Sequence, residues 1–151
     1  MREFNVLCKE TEELDVLSYG AILAEKSLTI IPALDLIFED EIVATSIFAT
    51  FIIGSIVADG KIDEAEYALL YPSLREFFGD NIDYESCKKI AKAFKAESKE
   101  LKQYVDFMTD ILGQLSDELK EDIITVCLLI CAVDGKISLK EKMWIKQLIK
   151  E

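Results

Sequence analysis

Asp59-Gly60-Lys61-Ile62 and Asp134-Gly135-Lys136-Ile137 are the same tetrapeptide, and each follows a strongly apolar stretch and precedes a charged amphipathic one. Extended by four residues, the copies read DGKIDEAE (Asp59–Glu66) and DGKISLKE (Asp134–Glu141). A turn of this kind between helix-forming segments restricts the chain to helical hairpins. Its repetition predicts two of them, Ile42–Phe77 and Ile123–Lys150, packed on one another. It also sets one acidic residue at the same structural point in each half.

Most of the repeat has a structural explanation. Gly60 and Gly135 suit the left-handed position just beyond a helix, where a Cβ is costly. Ile62 and Ile137 precede the next cap and can fasten the turn to the core. Asp63 with Glu66, and Ser138 with Glu141, match a cap residue followed three later by an acid, a capping box for the amides of the first turn. Asp59 and Asp134 are left over. A carboxylate at a helix C-terminus faces the negative end of the dipole. Two remedies stand open: amides of the turn donated to the carboxylate, or a bound cation held by hard oxygen ligands.

The rest of the chain reads as helix. Leu14, Leu17, Ala21, Ile22 and Ala24 recur on a helical period, which predicts a helix over Thr11–Lys26 with Thr11 as its cap after a short leader. Pro32 is placed to start a short helix ending near Phe38. Glu39-Asp40-Glu41 opens a long apolar helix to Ala58, expected to be buried nearly all round. Pro72 predicts a kink or break near Tyr71, and Asp83 caps a helix to about Ala96. Ser98 caps another whose inward side is Leu101, Tyr104, Val105, Met108, Ile111, Leu112 and Leu115. Ser116 restarts the chain ahead of a second core helix, and a last helix carries Leu139, Met143, Ile145, Leu148 and Ile149, with Trp144 partly buried. No segment alternates as a strand does. The expectation is one all-α domain over residues 1–151, a compact multi-helix bundle with two internally repeated helical hairpins.

Composition narrows the function. The chain has 151 residues, is 51% hydrophobic and carries a formal charge of -12, which speaks against a nucleic-acid partner. It contains no histidine. That removes Ser-His-Asp and Cys-His catalysis and ordinary His/carboxylate zinc sites. Cys8, Cys87, Cys127 and Cys131 are too few and scattered for a disulfide framework, so reduced, buried thiols and a cytoplasmic location are expected. Cys127 and Cys131 lie one turn apart in ITVCLLICAV, where core thiols are favoured over a reactive pair because no cation lies near. The uncharged run Ile42–Ala58 is short for a bilayer and has acids at both ends, so direct membrane insertion is not expected. Lys88, Lys92, Lys95, Lys99 and Lys102 form a basic stripe, read as a solvated helix face.

Asp59, Gly60, Ile62 and Glu66 coincide with the second half of an EF-hand loop, as do Asp134, Gly135, Ile137 and Glu141. The first half fails: Ser55 and Val57, or Ile130 and Ala132, stand where carboxylates are required. The duplicated pattern, apolar helix then Ala58–Glu66 and again Val133–Glu141, instead resembles the tellurite-resistance TerB family and the related N-terminal domain of membrane-anchored DnaJ-type co-chaperones. The resemblance implies an all-helical, internally duplicated fold with metal proposed at the acidic turns. Carried over by position, the metal ligands are Asp59, Asp63 and Glu66 in the first copy and Asp134 and Glu141 in the second. Ser138 replaces the acid found at Asp63, leaving the second copy fewer anionic ligands. A divalent cation such as calcium, magnesium or manganese is the implied ligand, and a protein is the expected partner. The leading reading is a non-catalytic scaffold or cation-responsive module in a bacterial stress or tellurite-resistance system. Its rivals are a small divalent-metal-dependent hydrolase using clustered Asp and Glu, and a metal-free protein-interaction domain.

Overall fold

The computed structural model describes residues 3–15, 18–56, 99–132 and 136–149, with helical positions at 75, 85, 88, 89 and 92 between them. Six helices make up the continuous segments: α1 (Phe4–Glu12), α2 (Tyr19–Phe38), α3 (Glu41–Ile56), α4 (Lys99–Gly113), α5 (Asp117–Cys131) and α6 (Leu139–Ile149). The described residues contain no strand, as the absence of alternating segments predicts. The expected helix after Asp63, its break near Tyr71 and the cap at Asp83 lie outside the described residues. So does the first turn, and with it the pairing of the two hairpins.

The N-terminal third departs from expectation. In place of the expected leader stands α1, whose Phe4, Leu7, Cys8 and Thr11 are all buried at three- and four-residue steps. Glu3 caps it by accepting the Asn5 and Val6 amides at 3.1 and 3.3 Å. Thr11 is therefore not a cap. It lies in the last turn of α1, and its hydroxyl donates back to the Leu7 carbonyl at 2.8 Å. The break falls between Glu12 and Tyr19 instead, and the Tyr19 hydroxyl spans it by donating to the Thr11 carbonyl at 3.0 Å.

Pro32 does not start a helix either, because α2 runs through it. The buried stripe Tyr19, Leu23, Ser27, Ile30 and Leu34 continues on both sides of the proline, so packing holds the helix together where propensity would break it. Pro32 faces outward, as does Leu28, whose carbonyl loses its amide partner and can be hydrated. The predicted end at Phe38 is observed. Glu39 takes a left-handed conformation (φ 56°) and returns its amide to the Asp35 carbonyl at 2.8 Å. Asp40 then caps α3 by accepting the Ile42 and Val43 amides at 2.9 and 3.2 Å.

The core is organised around α5, which packs against α1, α2, α3 and α6. Ser116 caps it as predicted, accepting the Leu119 amide at 3.2 Å. Ile123, Ile124 and every residue from Val126 to Cys131 are buried. Lys26 on α2 reaches Asp122 on α5 at 2.8 Å across the partly exposed edge of this packing. The Cys127 and Cys131 thiols point at the carbonyls of Phe51 and Ser55, at 3.9 and 3.7 Å. Successive turns of α5 thus meet successive turns of α3, and the two helices run in the same direction there. Met108, Ile111 and Leu112 supply the inward side of α4 as expected, and Leu115 is buried just beyond its end.

Two apolar expectations fail at the surface. Of the stripe expected on α6, Ile145 and Leu148 are buried, with Trp144 beside them, but Leu139 and Met143 are exposed. In α3, Ala44, Ile47, Phe48, Phe51 and Ile52 are buried while Ile42 is 79% exposed, so this helix is not enclosed all round. Among the described residues no helix is long and apolar enough to cross a membrane.

Candidate functional site

The second Asp-Gly-Lys-Ile turn follows α5, whose last amide, that of Ala132, closes on the Leu128 carbonyl at 2.9 Å. Beyond it, Lys136 is exposed and Ile137 is buried, the alternation expected of a turn anchored by its isoleucine. Ser138 and Glu141 form the predicted capping box in full. The Glu141 amide donates to the Ser138 hydroxyl at 3.1 Å, and the Ser138 amide donates to Glu141 Oε1 at 2.8 Å. The Lys142 amide then closes the first turn of α6 on the Ser138 carbonyl at 2.9 Å.

A second carboxylate reaches this turn from α1. Glu12 Oε2 accepts the Ile137 amide at 3.4 Å, so Glu12 and Glu141 hold two successive backbone amides. Sequence reasoning missed Glu12, which lies 125 residues away in a segment read as part of another helix. The one available signal was the Phe4–Thr11 stripe, which would have shown that α1 exists and must pack somewhere. Lys146 of α6 lies over the Phe4 ring, 5.6 Å from its centroid, and ties the same two helices together.

Of the residues expected to hold a metal, Glu141 is described, whereas Asp59, Asp63, Glu66 and Asp134 lie outside the described residues. Glu141 acts as a cap. That role does not conflict with metal ligation, since a carboxylate has two oxygens and about four acceptor sites. Its hard oxygens suit calcium, magnesium or manganese over soft metals. Among the described residues, no group of three or more Cys, Asp and Glu side chains is arranged to hold an ion.

The thiols behave as small hydrophobes. Cys8, Cys127 and Cys131 are buried and in no disulfide. Burial pushes the Cys127 thiol up to about 12, against which its hydrogen bonds act only weakly. Burial also raises Cys8, although Lys142 and Lys146 nearby pull the other way. A thiol kept protonated is a poor nucleophile and a poor metal ligand.

No curated protein and no solved structure shows a significant likeness to the chain. The family model described as tellurite resistance protein TerB matches residues 47–151, a stretch that begins inside α3 and contains both Asp-Gly-Lys-Ile turns. With its all-helical architecture and the repeated turn, the chain belongs to the TerB family.

Proposed function

We propose that the protein is a non-catalytic helical scaffold of a bacterial tellurite-resistance or stress system, cytoplasmic, and responsive to a divalent cation at its acidic turns. The observation that carries this reading is the TerB match over residues 47–151, which includes both turns and all five candidate acids. The lack of any histidine supports the non-catalytic part. The reading takes residues 1–151 as one domain, supported by the packing of α1 and α2 on α5.

The capping box favours a second reading, a metal-free interaction domain. Glu12 and Glu141 accept backbone amides in the turn, which gives these acids a structural use without an ion. Calorimetric titration of the metal-free chain with calcium, magnesium and manganese separates the two. A cation-responsive module gives saturable heat that Asp59→Asn/Asp134→Asn abolishes, and stability rises with ion concentration by mass action. No heat at millimolar ion overturns the cation-responsive reading, and binding that survives the double substitution moves the site elsewhere.

A further inference from the structure

The outward side of α3 offers a surface that the described helices leave uncovered. Between α3 and α4 lies a groove of about 440 Å³ with Phe38, Ile42, Val43 and Phe107 among its walls. Ile42 is 79% exposed and Phe107 46% exposed, a high value for side chains of this size. Ile42, Ser46 and Thr50 also line a second hollow that continues over α3 toward Ala49 and Ile53. These three lie one turn apart, so the strip follows α3 for more than two turns, with the hydroxyls of Ser46 and Thr50 set among its apolar side chains.

Carboxylates border the strip. Glu39, Asp40 and Glu41 are exposed at its α2–α3 end, and Asp106 and Asp110 are exposed on α4, flanking Phe107 and Ile111. Lys102, exposed one turn before Asp106, is the cation nearest them along α4. An apolar floor with acidic edges selects a complementary partner, apolar on one side and positive on the other. The described residues present no strand edge, so pairing by an added strand is not available and helix-in-groove binding is the matching mode.

We propose that this groove docks a basic amphipathic helix of another protein. A second copy of the chain is the poorer occupant, because it brings the same charge of -12 to an already acidic rim. The proposal names the partner class that the scaffold reading requires and rests on that reading. It makes no use of the acidic turns, so its failure is separate from that of cation binding.

The probe is a synthetic helical peptide with leucines on one face and lysines on the other, titrated into the full chain in metal-free buffer. Saturable binding is expected, weakened about tenfold by Phe107→Gln or Ile42→Gln and weakened again by added salt. Asp106→Asn/Asp110→Asn should weaken binding and flatten the salt dependence. The circular dichroism melts of these surface variants should match the parent, which separates lost docking from lost folding. Three results would each overturn the proposal: no saturable binding, equal binding of a scrambled peptide of the same composition, or binding indifferent to all these substitutions. Sedimentation of the chain alone supplies the last arm. A dimer that Ile42→Gln dissociates would show that a second copy fills the groove and would likewise overturn the proposal.

Discussion

Helices α3 and α5 meet each other turn by turn, yet their surroundings differ. From Val126 to Cys131, α5 buries every side chain because α1, α2, α3 and α6 surround it. α3 packs on α2 and α5, and its Ile42 and Val43 remain exposed. Apolar composition therefore states what a helix can bury, whereas the number of neighbours determines what it does bury. The surplus on α3 is where a partner has room.

Substitutions along the two helices test this contrast most strongly. Phe51→Ala on the inner side of α3 should cost about 3–5 kcal/mol, and Leu128→Ala on α5 about 2–5 kcal/mol, by denaturant titration. Both side chains are fully buried. Similar losses at both sites would place them in one shared core, and a loss near zero at Phe51 would break the pairing of α3 with α5.

Alkaline pH probes the same interface through Cys127. Its thiol is shifted upward, so between about 9 and about 12 the native state retains a proton that the unfolded chain releases. Stability is therefore whole below that window and falls as pH rises through it, by an amount on the order of a few kcal/mol. Cys127→Ala should remove this part of the alkaline decline. An unchanged slope would mean that the thiol is hydrated.

Smaller effects belong to the ends of the elements. Ser138→Ala removes the acceptor for the Glu141 amide and should cost about 1 kcal/mol in thermal or chemical unfolding. Glu39→Gly should stabilise by about 0.5–1 kcal/mol, since Glu39 holds a left-handed conformation that glycine adopts without strain. The smallest effect closes the comparison. Ile42→Ala should change stability by no more than about 0.5 kcal/mol. A cost matching that of Phe51→Ala would show that the outer side of α3 is covered after all.

The sequence by itself determined the features set by short range. Periodicity and the lack of alternation specified the all-α class (though not α1), Ser116 and Ser138 with Glu141 specified two helix starts, and the repeated Asp-Gly-Lys-Ile pointed to the family. Each depends on residues within one or two turns of one another, where chain connectivity leaves few alternatives. Only the tertiary structure decided that Pro32 stays inside a helix, since a buried stripe on both sides outweighs one missing hydrogen bond. It alone brought Glu12 to the amide of Ile137 and turned Leu139, Met143 and Ile42 outward. Those outcomes depend on which helices become neighbours, and a pattern along one helix records the existence of an apolar side but not how much of it the neighbours cover.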